Sequence, residues 1–253
     1  MILGMKRIGK EFIRRQLEAR GWEITRRTAG NGPSILALKL LIEHSLLVEG
    51  EGAILQVGAN DGLVDDPIHE IIVARNLPAV LVEPLPDLFE QLQRNYAGRS
   101  NIYFENCAIS TQPGEAEIFR ISRAATHLPE WVHLLASFDK SVLLKHKDWP
   151  GVEGRSFEQH IESIRVPVFT VGQLLQKHSN VRKFIALQID TEGHDFAVVK
   201  SAVKAGFLPT IINYEHKHLS YYDQVACRDL LFTNGYSFLS DGANTLAYKM
   251  KIA

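Results

Sequence analysis

The sequence predicts an α/β fold: a doubly wound, mostly parallel, seven-stranded sheet of the Rossmann-like kind with helices on both faces. Short runs that are apolar almost throughout alternate with helical segments along residues 53–234, as expected of parallel strands buried on both faces. These runs end in glycines or polar residues, and in doubly wound sheets such strand ends meet at one edge. Residues 236–240 and 245–250 flank a turn containing Gly242, which predicts a C-terminal antiparallel hairpin.

The individual elements follow from local composition. Short β-branched and apolar runs predict strands at residues 53–57, 79–82, 102–109 (interrupted at 106–107), 184–189 and 210–214. An added β-element is predicted at 115–121, and regular structure resumes at 166–171. Apolar residues recurring every three or four positions predict helices at 35–47, 67–75, 86–96, 172–178, 195–205 and 222–234. Gly206 and Gly235 close the last two helices.

Composition excludes several classes of protein. A chain of 253 residues is long enough for one large α/β domain, and its net charge of -1 gives no support for a nucleic-acid or membrane-surface partner. The two cysteines, Cys107 and Cys227, form no C-x-x-C motif, which argues against a disulfide scaffold or a zinc cluster. No apolar run is long enough to span a bilayer. We therefore expect a cytoplasmic protein with no nucleic-acid partner and no integral membrane segment.

Two segments depart from the regular alternation. Residues 1–33 are predicted to be a basic, amphipathic N-terminal helical extension of the main domain at 34–253. Its apolar stripe is expected to pack on that domain, and the alternative is a basic surface for anionic lipid, an acidic partner or an acidic substrate. Residues at about 122–165 are rich in His and Trp and are predicted to form a lid or specificity insertion. The alternative is a surface excursion without ligand contact.

The turn after the first strand is the first candidate binding element. Glycine lets a backbone approach a ligand closely, but this turn lacks the third glycine of the G-x-G-x-x-G pattern. That argues against a dinucleotide pyrophosphate and favours a nucleoside ligand without phosphates, such as S-adenosylmethionine. Asp61 is expected to meet the amino end of its methionine moiety. The predicted cofactor-binding residues of this stretch are Gln56, Gly58, Ala59, Asn60, Asp61 and Gly62.

The next two strand ends extend this predicted cofactor site. Glu83, followed by Pro84, ends the second strand, where an acid can accept hydrogen bonds from both hydroxyls of a ribose. The alternative role of Glu83 is structural, as a helix-capping acid. Asn106 and Cys107 are predicted to lie beside the adenine, where a polar side chain and a backbone amide can read the edge of the ring.

The fourth strand ends in the densest group of ionisable residues, at Asp190, Glu192 and His194. These side chains improve no core, so we predict a catalytic role for them, with an ordinary capping cluster as the alternative. Asp190 or His194 is expected to orient or deprotonate a substrate hydroxyl. His216, after the fifth strand, is a further candidate base.

A metal site is considered at the same strand ends but is not predicted. Asp190, Glu215 and His216 together offer ligands for a hard cation such as Mg²⁺. Their spacing is not that of an H-E-x-x-H zinc helix. A divalent metal ion therefore stays an alternative.

Taken together, these motifs resemble the FkbM family of methyltransferases. The resemblance is carried in order by residues 54–62, 82–84, 186–195 and 213–216, and the family's Ile-Asp-x-Glu-Gly-His pattern falls on residues 189–194. The resemblance spans about residues 53–250 and implies a class I methyltransferase fold that binds S-adenosylmethionine, in the domain predicted at 34–253. It also implies O-methylation of a hydroxyl on a sugar or other small molecule. Residues 122–164 carry no family motif, which leaves the acceptor open.

Two other functions compete with this interpretation. The first is a nucleotide-dependent oxidoreductase on the same sheet, which the missing third glycine and the lack of a Tyr-x-x-x-Lys pair disfavour. The second is a cofactor-binding module without catalysis, against which the intact cluster from Asp190 to Asp195 speaks.

Overall fold

A computed structural model describes residues 32–249 of the chain. The predicted basic extension at residues 1–33 lies almost wholly outside the described residues. Within residues 32–249, no helix combines the length and the apolar character needed to cross a bilayer.

The described residues contain strands and helices in alternation. The strands are β1 (Ala53–Val57), β2 (Ala79–Val82), β3 (Ile102–Glu105), β4 (Ala108–Ile109), β5 (Gly114–Ile121), β6 (Ala136–Ser137), β7 (Ile161–Phe169), β8 (Phe184–Ile189), β9 (Ile211–Glu215), β10 (Ser237–Ser240) and β11 (Asn244–Tyr248). The helices are α1 (Pro33–Glu49), α2 (His69–Arg75), α3 (Pro86–Asn95), α4 (Lys140–Leu144), α5 (Val171–Lys177), α6 (Asp195–Lys204) and α7 (Tyr221–Thr233).

The main sheet has seven strands in the order β10-β11-β9-β8-β1-β2-β3. The five strands from β9 to β3 pair in parallel, whereas β11 runs antiparallel to both β9 and β10. The predicted fold class and the C-terminal hairpin are therefore confirmed. Strand order reverses between β1 and β8, so the crevice at their carboxyl ends is where a doubly wound sheet binds ligands.

Apolar side chains cover both faces of this sheet. On one face, α1, α2 and α3 contribute buried residues that include Leu38, Ile72 and Leu92. On the other face, α5, α6 and α7 pack against the strands through residues such as Val198 and Leu231. Strands β1, β2 and β9 are buried at every position, because helices shield them from water on both sides.

A second sheet stands above the carboxyl ends of the main one, and the sequence did not predict it. Its order is β4-β7-β5-β6, and β5 and β7 form a long antiparallel ladder from Gly114 opposite Val168 to Ile121 opposite Ile161. The strand predicted at 102–109 with an interruption at 106–107 is two strands, β3 and β4, which divide at that interruption. The chain leaves the main sheet at Glu105 and joins the second sheet at Ala108.

The second sheet also revises the predicted insertion at about 122–165. Strand β7 begins inside it, at Ile161, so its last residues belong to a sheet. Between β5 and β7 lie two short 3-10 turns, β6 and α4, which enclose a small apolar core of their own. The members of this core are Ile121, Ala125, Leu128, Val132, Leu143, Val152 and Phe157.

Candidate functional site

A cleft opens at the carboxyl ends of β1, β2 and β8, beneath the second sheet. Its empty volume is about 1180 Å³, including space open to solvent. Nine of the residues predicted as site residues line it: Gln56, Gly58, Ala59, Asn60, Glu83, Pro84, Cys107, Asp190 and Glu192. The parallel sheet brings these residues together because their strands end at one edge.

Gly58 allows the turns after β1 and β8 to touch. Its φ of 79° is in the left-handed region, and a Cβ added to it would lie 1.7 Å from the carbonyl oxygen of Asp190. The N–H of Asp190 donates to the carbonyl of Val57 across the same junction. A side chain at position 58 would therefore force the two strand ends apart.

Glu83 lies beneath the glycine turn and accepts hydrogen bonds from two backbone N–H groups. One carboxylate oxygen accepts from Asn60 and the other from Leu85, both at 2.9 Å. Burial raises the pKa of Glu83 to about 7, against the opposing effect of these two hydrogen bonds. Each oxygen keeps acceptor capacity, so the carboxylate can brace the turn and also accept from a ligand hydroxyl.

Gln56 offers the cleft a second acceptor. Its Nε2 donates to Oδ2 of Asp66 at 3.2 Å, which orients the amide. Its Oε1 is buried and has no hydrogen-bond partner among residues 32–249. Such an atom is costly unless a ligand donor or water pairs with it. Enclosure by protein raises the pKa of Asp66, despite its hydrogen bonds to Ile68, Gln56 and His69.

Three predicted cofactor residues do not line the cleft. Oδ1 of Asp61 accepts from the N–H groups of Leu63 and Val64, both at 2.9 Å, and so shapes the turn. A Cβ on Gly62 would lie 2.4 Å from a methyl carbon of Leu92. Nδ2 of Asn106 donates to the carbonyls of Glu83 and Pro84, at 2.8 and 3.0 Å. The structure therefore places Asp61, Gly62 and Asn106 where they support the binding surface.

The other wall of the cleft comes from the second sheet and the residues around β6. Six of its members lie in the insertion predicted at about 122–165, although none was predicted as a binding residue; the members are Ile109, Ile118, Trp131, Leu134, Leu135, Ala136, Ser137 and Phe138. Two hydrogen bonds attach it: Asn60 Nδ2 donates to the carbonyl of Leu134 at 3.0 Å, and Ser137 Oγ donates to the carbonyl of Glu192 at 2.6 Å. The His- and Trp-rich composition marked this region, but only the tertiary pairing of β5, β6 and β7 decides which residues face inward.

Carboxylates crowd the ends of β8 and β9. Asp190 is accessible from the cleft, yet enclosure by protein raises its pKa well above the usual range, and repulsion from Glu215, Glu192 and Asp195 raises it further. Burial likewise raises the pKa of Asp195 to about 7, although its oxygens accept from Thr191 and from the N–H of Glu215. Asp195 therefore ties β8 to β9 and is no ligand of the cleft.

The two predicted catalytic histidines lie apart from the cleft. His194 stacks on Phe138 with ring centroids 4.0 Å apart, and its Nε2 lies 3.0 Å from Ser110 Oγ. Burial lowers the pKa of His194 to about 4, so the ring is neutral at pH 7. His216 contacts Thr245 Oγ1 through Nδ1 at 2.9 Å, beside the C-terminal hairpin. The position of His216 offers no access to a substrate in the cleft.

The cation ligands considered from sequence are only partly brought together. In the part of the chain that the structure describes, the group with ligand atoms mutually within 4.8 Å is Glu192, Glu215 and His218. This group shares Glu215 with the set considered from the sequence, but it contains Glu192 and His218 in place of Asp190 and His216. Its histidine, His218, lies two positions after the predicted His216. The path of the chain after β9 determines which of the two meets the carboxylates.

Comparison with known proteins agrees with the fold and the strand-end motifs. A family profile described as "Methyltransferase FkbM domain" matches residues 56–238. No curated protein matches the sequence.

Among solved structures, the chain is similar to the methyltransferase FkbM from Methylobacillus flagellatus KT, with 14% identity and a TM-score of 0.46. That alignment covers 78% of this chain and 43% of the other, so the chain spans less than half of that protein's length. The N-terminal domain of human METTL16 in complex with SAH has 9% identity and a TM-score of 0.46, covering 93% of this chain and 78% of that one.

The profile match extends over most of the chain. The matched residues include the glycine turn, Glu83, the cluster at the end of β8 and Glu215. The fold brings all of these to one edge of the sheet. The chain therefore belongs to the FkbM family of methyltransferase domains.

Proposed function

We propose that this protein is an S-adenosylmethionine-dependent methyltransferase that methylates a hydroxyl of a small molecule, with saccharides as the expected acceptor class. The observation that carries the proposal is the pairing of a bare glycine turn with the buried acid Glu83 at the topological switch point of the sheet. There a ribose can lie within reach of the carboxylate, since Glu83 and the glycine turn line the same cleft.

The residues of the cleft fit this cofactor. Glu83 would accept hydrogen bonds from the ribose hydroxyls, and Gln56 Oε1, which has no partner in the described chain, would accept from the amino group of the methionine moiety. Cys107, Ala108 and Ile109 provide an apolar wall suited to the adenine ring. When bound, S-adenosylmethionine supplies a methyl group on a positively charged sulfur.

Asp190 is the proposed catalytic residue of the acceptor side. It lines the cleft and accepts the hydrogen bond, and then the proton, of the acceptor hydroxyl. With S-adenosylmethionine bound, the acceptor oxygen would bond to the methyl carbon as the carbon–sulfur bond breaks, which would leave S-adenosylhomocysteine. Alignment of the two reactants supplies most of the rate. The wall at Trp131 and residues 134–138 determines which acceptor fits.

Calorimetric titration with S-adenosylhomocysteine tests the cofactor assignment. We expect binding to the wild type and, for Glu83→Ala, affinity at least about tenfold lower, because two hydrogen bonds to a charged acceptor are lost. Glu90→Ala, an exposed acid on α3, is the matched control and should bind as the wild type does. A folded wild type that binds no S-adenosylhomocysteine would contradict the proposal.

A screen of hydroxylated acceptors with S-adenosylmethionine tests the reaction. Replacing Asp190 with Asn should lower turnover about 10²–10⁴-fold, because the proton acceptor is lost. Affinity for S-adenosylhomocysteine should stay unchanged, since the ribose is bound at Glu83. Undiminished turnover in Asp190→Asn would refute the role of Asp190.

A further inference from the structure

Three side chains from neighbouring strand ends meet at the border of the cleft. Glu192 follows β8, Glu215 ends β9, and His218 lies in the turn after β9. His218 Nε2 is 3.1 Å from Oε2 of Glu192 and 3.6 Å from Oε2 of Glu215. Two carboxylate oxygens and one imidazole nitrogen thus converge within 4.8 Å.

The converging atoms contact one another but form no well-aligned hydrogen bond with the described chain. Oε2 of Glu192 and Oε2 of Glu215 face Nε2 of His218, at 3.1 and 3.6 Å, and Nδ1 of His218 has no hydrogen-bond partner among the described residues. The side chain of His218 is only 3% exposed, so bulk water does not pair with it either. Buried polar atoms are normally paired, and this set therefore calls for a ligand.

We propose that Glu192, Glu215 and His218 bind a divalent metal ion. Two carboxylates and one imidazole suit first-row ions such as Mn²⁺, Fe²⁺ and Zn²⁺, which accept mixed oxygen and nitrogen ligands. A dication between the two carboxylates removes their mutual repulsion. Three protein ligands also leave coordination positions open, as catalytic metal sites do.

The charges around the site are compatible with an ion. Lys217 approaches Glu215, but at Oε1 and 3.3 Å, which leaves Oε2 available. His146 packs near His218 with ring centroids 5.6 Å apart. The competing arrangement is a direct contact of His218 with the two carboxylates, without an ion.

The site borders the proposed acceptor position, because Glu192 also lines the cleft. An ion held there can bind an oxygen of the acceptor beside Asp190. This consequence rests on the proposed function, whereas the metal site itself does not.

Titration of the full chain with Mn²⁺, followed by the electron paramagnetic resonance signal of the free ion, tests the site. We expect saturable binding to the wild type, and binding at least about tenfold weaker in His218→Ala and in Glu192→Gln. His216→Ala is the matched control, because that imidazole contacts Thr245, and it should bind Mn²⁺ as the wild type does.

Two results would overturn the site: a wild type that leaves the Mn²⁺ signal unchanged, or variants that bind as tightly as the wild type. If His218→Ala does not fold, Glu192→Gln decides, since Glu192 is only partly buried. Calorimetry with S-adenosylhomocysteine on the same protein separates the two proposals. Absent cofactor binding contradicts the methyltransferase function, and absent Mn²⁺ binding contradicts the metal site.

Discussion

At the scale of single residues, the cleft depends on side chains that also hold the backbone. Glu83 binds two N–H groups of the turns around it, and Gly58 is small enough for two strand ends to touch. Residues of this kind serve structure and binding together. Variants therefore need controls that separate the two effects.

Replacing Gly58 with Ala should lower the free energy of unfolding by more than the strain of a left-handed φ at this position accounts for. The strain of a side chain at such a φ is about 1–2 kcal/mol, and the contact with Asp190 adds about 1–3 kcal/mol of overpacking. Gly98→Ala is the control, because its φ is 81° and an added Cβ would meet no described atom within 4 Å. Urea unfolding of both variants measures the difference, and equal losses of stability would contradict the close approach.

At the scale of elements, the second sheet is fastened to the helix after Glu83 by a charged group. Arg120 on β5 is 5% exposed and donates through Nη2 to Asp87 on α3 at 2.9 Å. Arg123 donates to the same carboxylate at 2.7 Å. This pairing fixes the upper wall of the cleft relative to the main sheet.

Arg120→Ala should lower the free energy of unfolding by about 1.5–3 kcal/mol, because the hydrogen bonds between the buried Arg120 and the partly exposed Asp87 are lost while Arg123 still pairs with Asp87. Arg165→Ala provides the control on the same sheet. Arg165 and Glu115 form an exposed pair at 3.7 Å, and its loss should change stability by less than about 1 kcal/mol. Chemical denaturation compares the two, and similar effects would refute the fastening role of Arg120.

A comparison of the elements shows which parts of the fold the sequence could predict. Continuous apolar runs predicted the parallel strands of the main sheet, and the motifs at their ends predicted much of the cleft. The regular structure predicted at 166–171 contains the end of β7, whereas residues 161–165 of this strand were missed because none of them is fully buried. Its pairing with β5 is non-local, so no local period reveals it. The role of His218 as a metal ligand was missed for the same reason. It depends on the ends of β8 and β9 lying side by side, which no local pattern shows.

At the scale of the whole molecule, a buried acid makes stability depend on pH. The pKa of Glu83 is raised by burial to about 7, so the folded state holds this proton more tightly than the unfolded state. Its contribution to stability is therefore present below about pH 4.5 and is lost as the pH rises toward 7. The change amounts to about 3 kcal/mol.

Urea unfolding at pH 5 and pH 8 should reveal this linkage. Glu83→Gln, which cannot ionise, should lose less stability over this range than the wild type does, and Glu90→Gln should behave as the wild type. An identical pH dependence in Glu83→Gln and the wild type would rule out the linkage. The comparison between variants isolates Glu83 from the other buried acids and histidines.

The contact between Gly58 and Asp190 has a mechanical consequence. It locks two strand ends into one rigid edge, so the sheet cannot spread to admit a ligand. The opposite side, at residues 134–138, is attached to this edge by the side chains of Asn60 and Ser137. We expect the strand-end side of the cleft to keep its shape when a ligand enters, because a change there would break the contact between Gly58 and Asp190.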